Sequence, residues 1–152
     1  MPHRWDIFCT VVDNYGDIGV CWRLAKQLTK DHRQTVRLWI DDLLSFSRIA
    51  PDVNPGMQRQ SVQGIEICLW QTVFPPEIEP ADVVIEAFAC ELPDAYIAAM
   101  LCKKKQPVWI NLEYLSAEDW VERSHALPSP QPGGLVKWFF FPGFTPRTGG
   151  LL

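Results

Sequence analysis

Residues 5–28 constrain the fold more than any other stretch. Ile7-Phe8-Cys9-Thr10-Val11-Val12 is an unbroken run rich in β-branched residues, the pattern of a strand buried on both faces of a parallel sheet. Asp13-Asn14-Tyr15-Gly16-Asp17 then forms a turn, and Ile18, Cys21, Trp22, Ala25 and Leu28 recur at the 3.6-residue spacing of a helix. Arg23, Lys26, Gln27 and Lys30 fall on the opposite side of that helix. The unit is therefore strand, turn, helix. At the same turn, nucleotide-binding folds carry glycines and no acid, because the backbone N–H groups and the helix dipole attract phosphate there. Two carboxylates make this turn repel anions and favour a cationic or proton-donating group.

The rest of the chain repeats the alternation. Residues 35–40, 65–70, 83–86, 107–112 and 137–141 have strand character, and helices are expected at 18–32, 43–49, 93–104 and 116–127. Pro93 suits the first turn of its helix, and Ser116-Ala117-Glu118-Asp119 has the look of a cap with acids behind it. Prolines make residues 74–80 an extended loop, and residues 128–134 a loop closed to both helix and strand. Such alternation predicts an α/β fold: a Rossmann-like, mostly parallel sheet with helices on both faces. At 152 residues and 17.4 kDa the chain is one domain, residues 1–152.

Charge and composition remove several function classes. A net charge of -4 and a pI near 5.3 provide no basic field for nucleic acid or an anionic membrane surface. No apolar run approaches the roughly 20 residues of a membrane span, and the first residues do not resemble a signal peptide, so a cytoplasmic protein is expected. Cys9, Cys21, Cys68, Cys90 and Cys102 are odd in number and widely spaced, which suggests structural thiols in a reducing compartment. His3, His32 and His125 are scattered, and no metal site is expected. The tryptophans mostly read as core.

In an open α/β sheet, chemistry gathers at the carboxyl ends of the strands. Three loops meet that description. The first carries Asp13, Asn14, Tyr15, Gly16, Asp17 and Gly19; the second carries Phe88 and Glu91; the third carries Asn111, Glu113 and Tyr114. Each loop has a carboxylate, so together they make an acidic, amide-bearing and aromatic rim. Structural roles are open for all of them: Asp17 as the cap or a first-turn acid of the helix, Asp13 as a turn former, Gly16 and Gly19 for backbone geometry or close helix–sheet packing, Glu113 as half of an ion pair and Tyr114 as a core ring with a wet hydroxyl. The rim could hold a cation or a general base, and the residues by themselves name no substrate.

Val12-Asp13-Asn14-Tyr15-Gly16-Asp17-Ile18-Gly19-Val20-Cys21-Trp22-Arg23-Leu24-Ala25 resembles the bacterial protein-arginine rhamnosyltransferases that mature elongation factor P. Asp82-Val83-Val84-Ile85-Glu86-Ala87-Phe88-Ala89-Cys90-Glu91-Leu92-Pro93, Asn111-Leu112-Glu113-Tyr114-Leu115-Ser116-Ala117-Glu118, Pro128-Ser129-Pro130, Phe141-Pro142-Gly143-Phe144 and Thr148-Gly149-Gly150-Leu151-Leu152 carry the same resemblance. It implies the N-terminal half of a GT-B glycosyltransferase that inverts the anomeric centre. The donor would be dTDP-β-L-rhamnose, held mainly by a C-terminal domain absent from this chain, with no cofactor or metal. The acceptor would be an arginine of elongation factor P. By resemblance Asp17 is the general base and Asp13 orients the guanidinium, with Asn14, Tyr15, Gly16, Gly19, Phe88, Glu91, Glu113 and Tyr114 binding or supporting the acceptor. The ending, without a polar tail, fits a chain lacking its second half, inactive by itself. A non-catalytic α/β module that recognises a basic protein partner is the alternative. A dinucleotide-binding domain is disfavoured because the first turn lacks G-x-G-x-x-G.

Overall fold

The computed structural model describes residues 1–12 and 15–152 and contains one eight-stranded sheet. Its strands are β1 Arg4–Cys9, β2 Thr35–Ile40, β3 Arg59–Val62, β4 Ile65–Leu69, β5 Val83–Ala87, β6 Val108–Leu112, β7 Pro128–Pro130 and β8 Val136–Phe140. They lie in the order β3-β4-β2-β1-β5-β6-β8-β7. From β4 to β8 every pairing is parallel, and β3 and β7 add antiparallel edges. Counted among themselves, the parallel strands follow the 3-2-1-4-5-6 order of a doubly wound, Rossmann-like sheet. The order reverses between β1 and β5.

Side-chain alternation assigns the two faces. Ile7, Cys9, Leu38, Ile40, Ile65, Ile67 and Ile85 pack with Ile18, Cys21, Trp22, Ala25 and Leu28 of α1 (Gly16–Lys30) and with Leu43 and Phe46 of α2 (Leu43–Ser47). Phe8, Trp39, Cys68, Val84 and Trp109 point the other way and meet Tyr96 and Met100 of α3 (Asp94–Leu101). Both faces are thus covered, as near-continuous apolar strands require. Asp42 starts α2 by accepting the Ser45 amide and hydroxyl, and these bonds hold its carboxyl below the usual carboxylate range. Among the described residues no helix is long and apolar enough to cross a membrane.

Several local expectations are corrected. The helix expected over 116–127 shrinks to α4 (Val121–Ser124), because Ser116 caps its own turn at Glu118 and Ala126 and Leu127 bond to Phe139 of β8. The loop at 128–134 contains β7, an edge strand in which only Ser129, between two prolines, keeps a backbone N–H. A 3-10 turn over Pro132–Gly134 follows, with Gly133 at φ 78°. Polar β3 had no strand signature; it pairs by a hairpin whose turn places Gln63 and Gly64 at positive φ. Trp120 and Trp138 are exposed rather than core.

Asp6 lies in the middle of β1 with 0% exposure and accepts five hydrogen bonds. Arg37 donates through Nε at 2.6 Å and Nη2 at 2.7 Å, Trp39 through Nε1 at 3.3 Å, and the Ala81 amide at 3.1 Å. The Tyr96 hydroxyl is the fifth donor, and burial beside Asp6 raises that phenol well above its ordinary range. β1, β2, α3 and the approach to β5 therefore meet on one carboxylate. Removing one partner of a buried pair leaves the other uncompensated and costs about 3–5 kcal/mol. Asp6→Ala in a protein carrying this chain should lower the unfolding free energy by that amount in urea titration; an unshifted midpoint contradicts this role.

Candidate active site

The switch point between β1 and β5 opens a crevice at the carboxyl end of the sheet, where an α/β fold binds its ligands. α1 begins beside it at Gly16, with Tyr15 in the cap position and no side-chain cap. Asp17 is therefore a first-turn acid and not the cap. It is half-buried, near the positive end of the helix dipole. Asp13 and Asn14, expected to share this loop's chemistry, lie outside the described residues.

Tyr114, two residues past β6, reaches across to Asp17 and donates its hydroxyl to Oδ2 at 2.9 Å. Its ring lies flat on Phe88, with centroids 4.2 Å apart and planes at 15°. The first, second and third rim loops thus meet through Asp17, Phe88 and Tyr114. Tyr114 remains 56% exposed, so of its open readings the core ring is excluded and the ring is a surface platform. Its phenol is pushed up to about 12, first by desolvation and then by the bond to the Asp17 carboxylate.

The second loop is held in an unusual backbone conformation. Phe88, Ala89 and Glu91 have φ of 54°, 55° and 60°, in the left-handed region that side chains avoid. Such residues cost of order 1–3 kcal/mol each and persist where surroundings impose them. Here the Phe88 amide bonds to Leu112 O at 2.7 Å and the Ala89 amide to Asn111 Oδ1 at 3.1 Å. The Leu92 amide bonds to Glu86 Oε1 at 3.1 Å, while Glu86 Oε2 accepts Lys137 Nζ at 2.9 Å. Glu86 and Asn111 are buried; Asn111 was expected in the third rim loop, whereas Glu86 did not stand out in a strand read as apolar.

Phe88, Tyr114, Glu113, Arg23 and Pro142 line a cleft of about 210 Å³ at this rim. An ion pair was one open reading of Glu113; its observed partner is Asn111 Nδ2 at 2.6 Å. Glu91 is exposed at the loop tip. Tyr15 is exposed and accepts Arg48 Nη1 at 2.9 Å. Gly16 is the first residue of α1. Gly19 does not serve close packing, since a Cβ there would meet nothing within 4 Å. Among the thiols, burial drives Cys68 up to about 12 and raises Cys90, and Cys21 rises chiefly through its contact with Cys9. These sulfurs are poor nucleophiles.

Folding favours the neutral Tyr114 phenol, because its folded value lies above the ordinary value of about 10. That stabilisation is complete below about 10 and is lost as pH rises through about 12. A spectrophotometric difference titration against Tyr114→Phe should show one phenol ionising near 12, and Asp17→Asn should move it part of the way back. Ionisation near 10 in the unmutated protein contradicts the contact with Asp17.

The family described as "Elongation-Factor P (EF-P) rhamnosyltransferase EarP" matches residues 5–152. A "Protein-arginine rhamnosyltransferase" of Pseudomonas putida is 58% identical over 152 residues, covering 100% of this chain and 40% of its own length. Proteins of the same name are 55% identical in Shewanella oneidensis and 43% in Neisseria meningitidis, across 98% and 96% of this chain and 39% and 37% of theirs. The chain spans about 40% of the length of the first of these relatives.

Proposed function

The chain belongs to the elongation factor P rhamnosyltransferase family, and from that premise we propose that it forms the acceptor-side half of an inverting, GT-B-type enzyme that rhamnosylates an arginine of elongation factor P in the cytoplasm. The observation that carries the reading is the half-buried Asp17 carboxylate, tied to Tyr114 beside the stacked Phe88 ring at the switch point. An arginine side chain stays protonated in water, its pKa being above about 12, so its nitrogen becomes nucleophilic only as a base removes a proton during attack. Carboxylates match the planar donors of a guanidinium, and a flat aromatic face adds a favourable surface for the same cation.

In this mechanism a guanidinium nitrogen attacks the anomeric carbon of dTDP-β-L-rhamnose. The C–N bond forms as the sugar C–O bond breaks, its electron pair leaves with the nucleoside diphosphate, and Asp17 takes the proton. Asp13 orients the guanidinium, and Glu91 and Glu113 add negative potential at the rim for a basic acceptor loop. The donor belongs to a second domain beyond this chain. The family name and the protein-arginine rhamnosyltransferase relatives support the sugar, the acceptor residue and the acceptor protein.

A general base typically contributes about 10²- to 10⁴-fold to rate. In a full-length enzyme containing this chain, Asp17→Asn should lower kcat for rhamnosyl transfer by that factor with acceptor binding largely kept. Near-normal transfer, read by the mass of intact elongation factor P, overturns the assignment.

A further inference from the structure

Asn111 occupies the penultimate position of β6, on the α3 face with Trp109, and is 1% exposed. An amide there serves no apolar contact. Its Oδ1 accepts the Ala89 amide at 3.1 Å, and its Nδ2 donates to Glu113 Oε1 at 2.6 Å. One buried side chain therefore spans two rim loops, using its acceptor on one and its donor on the other. On the neighbouring strand its register partner is Glu86, which fixes the far end of the second loop through Leu92.

We propose that Asn111 is a positioning residue that sets two acceptor-facing groups at once: the left-handed loop that presents Phe88, and the Glu113 carboxylate at the cleft wall. The inference rests on the rhamnosyltransferase reading for its catalytic consequence, and on geometry alone for the bridge. Only an amide fills both roles. Aspartate keeps an acceptor for Ala89 and sets a carboxylate against Glu113; alanine leaves both loops without the bridge and the Ala89 amide without its side-chain acceptor. Because Asn111 touches the loops and not the reacting atoms, its loss acts mainly on acceptor binding. The expected signature is a raised KM for the protein acceptor with kcat less affected.

The test uses the full-length enzyme with Asn111→Ala, Asn111→Asp, Glu113→Gln and the double variant combining Asn111→Asp with Glu113→Gln. Hydrogen exchange over residues 87–92 reads the bridge without activity. We expect faster exchange in Asn111→Ala, and exchange near the parent rate in the near-isosteric Asn111→Asp, which also guards against simple unfolding. In kinetics, Asn111→Asp should raise the acceptor KM tenfold or more. In the double variant the amide introduced at position 113 can donate to the carboxylate introduced at position 111, so Glu113→Gln should cost several-fold less there than in the parent. Additive effects of the two substitutions, or unchanged exchange in Asn111→Ala, overturn the bridge. Altered exchange in an enzyme that transfers no rhamnose would leave the bridge standing and overturn the functional reading instead.

Discussion

Parallel pairing of β1 with β2 on one side and β5 on the other is the constraint from which the site follows. A chain that builds outward from a central strand in both directions must carry its crossovers on opposite faces. α1 accordingly covers one face and α3 the other, and their entry loops part at the ends of β1 and β5. That parting is the crevice. Asp17 and Phe88 come from its two sides, and Tyr114, from the next strand along, joins them. Asp17 therefore sits where the sheet reverses its order.

Buried polar side chains cluster on the α3 face and divide its work between the two ends of the sheet. Asp6 ties β1, β2 and α3 together away from the rim, where its five donors stabilise the frame. Glu86 and Asn111 lie near the rim ends of β5 and β6, where their bonds go to loop amides, to the Glu113 carboxylate and to Lys137. The first set holds strands; the second holds a loop in a conformation it would not adopt alone. Lys137 adds its charge over the Trp109 ring at 4.9 Å, packing its stem while neutralising Glu86.

The elements legible in the sequence were those whose burial writes a period. α1 showed its stripe, and β2, β5 and β6 were short β-branched runs that face core on both sides. Edges left no such mark: β3 reads Arg-Gln-Ser-Val and β7 reads Pro-Ser-Pro, and both exist because a neighbour supplies their hydrogen bonds. At the site, Asp17, Phe88 and Tyr114 were visible as rim residues, since strand ends in a parallel sheet are predictable. Their mutual contacts were not. Asp6 and Glu86 were not singled out, and Asn111 was placed only as a rim amide, although a charged or amide side chain inside a run read as buried on both faces is the available signal.

What distinguishes an arginine-directed rim from a merely acidic one is geometry rather than charge. A guanidinium offers a planar fork to paired carboxylates and a flat face to an aromatic ring, whereas an ammonium is a point charge that satisfies neither. Calorimetric titration of a full-length enzyme containing this chain with elongation factor P, carrying either the arginine proposed as acceptor or lysine in that place, measures the difference directly. An arginine-directed rim predicts at least tenfold weaker binding of the lysine form. Equal affinity for the two would contradict it.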